Sequence, residues 1–164
     1  SLVLQNAMNT IVNAHPGYYT NFMLYPFDSQ NNKQNWFPAL VTTDYTQIAA
    51  TFNGWDLQTC IEPCPDETTE CGRPIVQLLI DILSRPELEQ PNSHIVVITR
   101  SAFSDYELFP ELQSYIAIAK PKIEFVLAGI TSPCSYPWDD NSNVVMQTVA
   151  TMADGGIYAV STQK

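Results

Sequence analysis

Four cysteines are the residues of this sequence whose type and spacing bear most directly on chemistry. Cys60, Cys64 and Cys71 lie in one short segment rich in Pro, Asp, Glu and Thr, and Cys134 lies far downstream. An even number of cysteines in polar, exposed sequence favours disulfides and an oxidising compartment. Zinc is the competing interpretation, but Cys-x3-Cys-x6-Cys without a nearby histidine matches structural zinc sites poorly.

Carboxylates crowd the same cysteine-rich segment, which contains Glu62, Asp66, Glu67 and Glu70. Oxygen ligands of this kind bind calcium when their spacing lets them converge on one ion. The spacing here does not follow an EF-hand loop, so a solvated acidic loop is the favoured interpretation and calcium the alternative.

No set of residues follows a catalytic pattern. The two histidines, His15 and His94, are isolated, and we interpret both as structural or surface residues. Ser104 and Asp105 do not combine with His94 in the order of a known triad or nucleophile elbow. The glycines are scattered, so no phosphate-binding loop is present. The sequence therefore predicts a protein without catalytic activity and without a cofactor.

Charge and length narrow the classes of partner. The chain has 164 residues, with seven Lys and Arg against seventeen Asp and Glu, for a net charge of −10. Such a field repels phosphate backbones and anionic membrane surfaces, which excludes nucleic acid as an expected partner. No apolar run approaches the roughly 20 residues that cross a bilayer, so we expect no membrane insertion. The length fits one domain over 1–164.

Helices and strands alternate along the chain. The first three helices are predicted at Leu2–Asn13, from a cap at Thr43 or Asp44 as far as Asn53-Gly54, and from Pro74 to Arg85-Pro86. A fourth helix is predicted to begin at Pro110, with Leu112, Tyr115, Ile116 and Ala119 facing inward. A fifth is predicted at Ser142–Met152, with Val145, Val149 and Met152 facing inward. Strands are predicted at Phe22–Phe27, Ala39–Val41, Ile95–Ile98, Ile123–Ile130 and Ile157–Val160.

The strong strands have no polar face. Ile95–Ile98 is β-branched throughout, which is typical of a strand buried on both faces. The pattern predicts a mainly parallel, doubly wound, Rossmann-like sheet between two layers of helices, a three-layer α/β/α sandwich. Ligands of such sheets bind beyond the carboxyl ends of the strands. Those ends carry the cysteine-rich segment, Thr99–Tyr106 and Thr131–Asn143.

Several short motifs, taken in order, resemble the von Willebrand factor A domain, and most closely its hemicentin-like subtype. They are Thr42-Thr43-Asp44-Tyr45 before a helix, Glu70-Cys71-Gly72 at a helix start, Ile98-Thr99-Arg100 at a strand end, Ser104-Asp105-Tyr106, and Phe125-Val126-Leu127-Ala128-Gly129. The resemblance covers nearly the whole chain. It implies a von Willebrand A-type fold and a metal-dependent or metal-free adhesion module.

The resemblance also implies a setting and a disulfide pattern. Hemicentin-like domains have cysteines that match Cys71 and Cys134, which implies a Cys71–Cys134 bridge and leaves Cys60–Cys64 to close a small loop. The expected protein is secreted and belongs to the extracellular matrix. It serves in cell adhesion, binds a protein or glycan partner, and has neighbouring domains in a larger modular chain.

Two departures from the family concern its cation site. The family's first strand ends in Asp-x-Ser-x-Ser, which nothing here matches, so we expect that strand upstream and this segment to be incomplete at its N-terminus. The Asp that follows the fourth strand is replaced by Arg100, which cannot ligate a cation. Weak substitute ligands are Thr68, Thr69 and Ser101. We expect a degenerate site without metal, and the alternative is a Mg²⁺- or Ca²⁺-dependent domain whose main ligands lie upstream.

The expected binding surface lies at the carboxyl edge of the sheet. It consists of Arg100, Ser101, Asp105, Asp66, Glu67 and Trp138. Tryptophans in loops, here Trp36, Trp55 and Trp138, are typical of contact surfaces but equally of lids over a core, and both interpretations stay open.

Overall fold

The computed structural model describes residues 2–25, 40–54, 72–85, 93–99, 102–128 and 140–160. Its helices are α1 (Leu2–Ala14), α2 (Tyr45–Gly54), α3 (Ile75–Leu83), α4 (Phe109–Ala119) and α5 (Asp140–Met152), with a 3-10 turn at Tyr106–Leu108. Its strands are β1 (Phe22–Leu24), β2 (Leu40–Thr42), β3 (Gly72–Arg73), β4 (His94–Thr99), β5 (Ala102–Phe103), β6 (Lys122–Ala128) and β7 (Ile157–Val160).

The chain forms two compact units. The first unit comprises 1–28 and 32–65, and the second comprises 29–31 and 66–164. The expectation of a single domain over 1–164 stays a prediction. No helix in the described ranges is long and apolar enough to cross a membrane.

The described part of the first unit contains two helices and a small antiparallel sheet, and α2 contacts both strands of that sheet. The predicted first helix is confirmed as α1, and β1 pairs antiparallel with β2, Met23 opposite Val41. The predicted cap of α2 is confirmed at Asp44, whose Oδ1 accepts bonds from the Thr46 amide at 2.9 Å and the Thr46 hydroxyl at 2.7 Å. These bonds satisfy an amide that the first turn of a helix leaves without a partner.

The second unit is built on a parallel sheet, as predicted. Its order is β4-β6-β7, all parallel, with Val97 opposite Phe125 and Phe125 opposite Ile157. The strands follow one another across the sheet in chain order. Crossovers of this kind are right-handed as a rule, and with this strand order that rule puts both connecting helices, α4 and α5, on one face. Contacts between α4 and α5, and between α5 and β6, agree with this placement.

One face of this sheet forms the core of the unit. Alternate residues of β6, Ile123, Phe125 and Leu127, are fully buried there. The opposite face holds Glu124, which is buried, and Val126, which is half-buried. A second helical layer, required by the three-layer prediction, is not seen among the described helices of this unit, because α3, α4 and α5 form one contiguous group. The von Willebrand A-type sandwich therefore stays a prediction.

Strand β4 is less buried than its apolar run predicts. Val97 and Thr99 are buried, but the other residues of β4 are half-buried. Within the described strands β4 pairs with β6 alone, so its second edge has no described neighbour. The expectation that β4 is buried on both faces is wrong for these residues, because burial of a strand depends on its neighbours as well as on its composition.

Helix α3 is buried on most of its surface, and helix α5 differs from its predicted inward face. Seven of the nine residues of α3 are buried, so this helix is enclosed on more than one face. On α5, Val149 is buried as predicted, but Val145 is half-buried and Met152 is exposed. Met146 holds a buried position instead. The buried stripe of α5 starts at Ser142 and is displaced by one residue from the predicted one.

Candidate functional site

The described part of the predicted binding edge follows β4. Thr99 ends this strand and is buried, and β5 begins three residues later. Strand β5 pairs parallel with β3, Gly72 opposite Ala102 and Arg73 opposite Phe103. Because β3 directly precedes α3, this short ladder brings the start of α3 to the carboxyl edge of β4.

Asp105 is the predicted surface residue that the structure describes, and its carboxylate caps α3. Oδ1 accepts a hydrogen bond from the amide of Val76 at 3.1 Å, and Oδ2 accepts one from the amide of Gln77 at 2.7 Å. Pro74, the residue before α3, has no side-chain oxygen to serve as a cap. Burial raises the pKa of the Asp105 carboxyl, and the bonds from Gln77 and Val76 oppose that rise.

Ser142 makes an equivalent connection to α5. It is fully buried, and its Oγ accepts a hydrogen bond from the amide of Phe103 at 2.8 Å. Asp105 therefore ties the segment after β5 to α3, and Ser142 ties β5 itself to α5. The two side chains assemble three elements at one edge of the sheet.

We expect Asp105→Ala to lower the free energy of unfolding by about 2 kcal/mol, because two helical amides lose their acceptor in a partly buried place. The unfolding free energy of Asp105→Asn should fall between those of wild type and Asp105→Ala, since an amide offers one acceptor oxygen and not two. Urea unfolding followed by circular dichroism measures both. Ser104→Ala, at the preceding position, is the control and should cost much less; equal losses at 104 and 105 would contradict the capping role.

The other predicted site residues lie outside the described residues. These are the disulfide candidates Cys60, Cys64, Cys71 and Cys134, the cation-site positions Thr68, Thr69, Arg100 and Ser101, and the surface candidates Asp66, Glu67 and Trp138. Their roles, and the disulfide pairing, stay predictions. Within the described ranges, no group of three or more His, Cys, Asp or Glu is placed to hold a metal ion.

A second polar cluster lies at the opposite end of the strands. His94 begins β4 and Lys122 begins β6, and these two residues are opposite each other in the ladder. Glu124 lies between them: its Oε2 is 2.8 Å from Nε2 of His94, and its Oε1 is 2.9 Å from Nζ of Lys122. The cluster binds the amino ends of two strands together, a structural arrangement in line with the interpretation of His94.

The charge of Glu124 is held in place by its neighbours. Desolvation alone would raise the pKa of this carboxyl, which is 8% exposed, but the hydrogen bonds and charges of Lys122 and His94 outweigh burial and lower the pKa. A depressed carboxyl pKa contributes stability above the pKa of the unfolded chain, and this contribution is lost as pH falls through the folded pKa.

We expect the unfolding free energy of the wild-type chain to fall as pH decreases below about 5, and Glu124→Gln to reduce the steepness of that fall. At pH 7 the substitution should cost about 1 to 3 kcal/mol, since it removes a charged acceptor from two partners. Urea unfolding at a series of pH values tests this. Glu107→Gln removes an exposed carboxylate and is the control, which should cost much less than Glu124→Gln at pH 7; identical slopes for Glu124→Gln and wild type would refute the expectation.

Sequence reasoning missed both Ser142 and Glu124. The sequence pattern predicts Ser142 only as the start of a helix, and no local signal points to its long-range partner Phe103. Glu124 interrupts an apolar strand, and a charge at such a position is a signal that a partner must lie on the neighbouring strand. Finding His94 as that partner requires the register of β4 against β6, which the strand pattern does not supply.

The fold and this edge define an α/β protein with a parallel sheet, at whose carboxyl end the half-buried Asp105 and the buried Ser142 connect the neighbouring elements. No protein-family model, no curated protein and no solved structure matches the chain.

Proposed function

We propose that this chain is an extracellular interaction module of the von Willebrand A type that binds a protein or glycan partner without catalysing a reaction. The observation that carries the proposal is the use of polar groups at the carboxyl edge. Both oxygens of Asp105 accept bonds from α3, and Oγ of Ser142 accepts one from β5. Groups engaged in this way hold a scaffold, and such a scaffold supports loops that contact a partner.

The position of this scaffold supports a binding role. The edge lies beyond the carboxyl end of β4, where parallel sheets present ligand-binding loops. Arg100 and Ser101 lie between β4 and β5, both of which are fixed to the rest of the unit. A net charge of −10 favours a partner with a basic surface, and complementary charge raises association rates at low salt.

Binding independent of divalent cations is the form of the module that Arg100 favours. A guanidinium has donors only and repels a cation. The proposal assigns this position to partner contact, together with Ser101, Asp66, Glu67 and Trp138. The alternative is a Mg²⁺- or Ca²⁺-dependent adhesion domain whose main ligands come from a segment upstream. In either form the proposal pairs Cys71 with Cys134 and Cys60 with Cys64.

Calorimetric titration of Mg²⁺, Mn²⁺ and Ca²⁺ into the folded chain distinguishes the two forms. The proposal expects no binding heat for wild type. Arg100→Asp restores the family's residue at this position and is the matched variant. Saturable heat from wild type, at micromolar to low millimolar cation, would favour the metal-dependent alternative over the metal-free module.

Partner binding is tested on a panel of extracellular proteins and glycans with and without EDTA. The proposal expects saturable binding that EDTA leaves unchanged and that Arg100→Ala weakens. Glu111→Gln, on the exposed side of α4, is the control and should bind as wild type does. Binding abolished by EDTA, or weakened equally by both substitutions, would overturn a metal-free site at the carboxyl edge.

A further inference from the structure

Met152, the last residue of α5, is an exposed methionine with a polar neighbour. Four methionines occur in the chain, and the structure describes the surroundings of three of them. Met146 is 0% exposed and Met23 is half-buried, whereas Met152 is 38% exposed. Oxidation of methionine requires that an oxidant reach the thioether, so the exposed Met152 is more accessible to it than the buried Met146.

The sulfur of Met152 already accepts a weak hydrogen bond. Nε2 of Gln113 on α4 donates to Sδ of Met152 on α5 at 3.8 Å. A thioether is a poor acceptor. A sulfoxide at the same place is polar and presents an oxygen, so the amide of Gln113 would meet a stronger acceptor after oxidation than before it.

We propose that Met152 is an oxidative modification site of the folded protein and that Gln113 binds the sulfoxide formed there. The oxidant is of the hydrogen peroxide class. A lone pair of Sδ attacks one peroxide oxygen, the O–O bond breaks and an S–O bond forms. The departing oxygen leaves as water after taking up the proton of the transferred oxygen. Sulfur loses two electrons and the peroxide gains them.

The location makes this modification tolerable for the fold. Oxygen added to a buried methionine such as Met146 would place a polar group in the hydrophobic core against which α5 packs, and this would lower the stability of the protein. Oxygen added to Met152 stays at the surface and faces a donor. The contact between α4 and α5 is retained in the oxidised protein, and methionine sulfoxide reductases can reverse the change.

Treatment of the full chain with hydrogen peroxide under non-reducing conditions, followed by peptide mass spectrometry, tests the site. Met152 should oxidise about tenfold faster than Met146 in the folded protein, since Met152 is exposed and Met146 is buried. In urea the two rates should converge. Equal rates in the folded protein, or a Met152 that stays unmodified while other methionines react, would overturn the proposal.

The role of Gln113 is tested by the thermal midpoint before and after oxidation. Wild type should keep its midpoint within about 1 °C, while Gln113→Glu, which has the same shape but no donor, should lose about 3 °C more on oxidation. Gln147→Glu makes the same chemical change at an exposed site of α5 and should behave as wild type. Equal losses in all three proteins would remove Gln113 from the proposal.

Discussion

Replacing Gly155 by alanine is expected to destabilise the protein by about 3 kcal/mol or more, at the upper end of overpacking effects. A Cβ at this position would overlap the carbonyl oxygen and carbon of Ile123, which are backbone atoms of β6. The overlap cannot be relieved by rotating a side chain. It requires movement of the turn after α5 away from the strand, and that turn is fixed by hydrogen bonds.

The bonds at this turn explain why it cannot move freely. The amide of Gly155 donates to the carbonyl of Ala150 at 2.8 Å, and the amide of Ile123 donates to the carbonyl of Ala153 at 3.2 Å. Asp154 adopts a left-handed conformation with φ of 50°, as is common for the residue that ends a helix. At Gly155 the turn after α5 therefore meets β6 backbone to backbone, and a methyl group between them would break this contact.

Gly156 is the matched control. A Cβ there would meet the hydroxyl and ring of Tyr158, 2.9 Å from the hydroxyl oxygen, and this exposed side chain can rotate away. Gly156→Ala should therefore cost no more than about 1 kcal/mol. Urea denaturation of both variants, followed by circular dichroism, gives the comparison. A Gly155→Ala variant as stable as Gly156→Ala would show that the turn tolerates a side chain.

The parallel sheet was predictable because its signal is local. The β-branched run Ile95–Ile98 and the mainly apolar run Ile123–Ile130 are separated by a helical pattern, which favours a crossover and so a parallel pair. The structure confirms the pairing of β4 with β6. The last strand, Ile157–Val160, was predicted to the residue because a glycine turn and a short apolar run bound it.

The candidate site was less predictable because its contacts are long-range. Asp105 caps α3 from 28 and 29 residues away, whereas the cap at Asp44 acts within two residues. A capping residue next to its helix is visible in a sequence pattern. A capping residue that follows a neighbouring strand, as Asp105 follows β5, depends on the β3–β5 ladder for its position. Two-residue strands such as β3 and β5 are too short to produce a sequence pattern of their own.

The buried face of α5 was displaced for a similar reason. Both Val145 and Met146 are apolar, so the helical period fits two adjacent stripes about equally well. Ser142 decides between them. A buried serine reads as polar in a sequence, but its bond to the amide of Phe103 allows it to lie inside. The stripe that includes Ser142 also includes Met146 and Val149, and Met152 consequently faces solvent.

Phe125→Ala is expected to cost about 3 to 5 kcal/mol, the range for removal of a large aromatic side chain from a core. Phe125 is 0% exposed at the centre of β6. Its ring lies 5.5 Å from the ring of Phe103, with the planes tilted by 54°. The substitution leaves a cavity between the sheet and β5, and the surrounding backbone is fixed by ladders that limit collapse into it.

The control for Phe125 is an aromatic residue on the next strand. Tyr158 on β7 is 52% exposed, so Tyr158→Ala removes a ring without opening a core and should cost about 1 kcal/mol or less. A double-mutant cycle of Phe103→Ala and Phe125→Ala should give a coupling free energy of about 0.5 to 1.5 kcal/mol for the ring pair. Chemical denaturation measures the change in unfolding free energy for the three single variants and the double variant. Additive losses would mean that the two rings stabilise the core separately. A small loss of stability for Phe125→Ala alone would contradict the place of this ring in the core between β6 and β5.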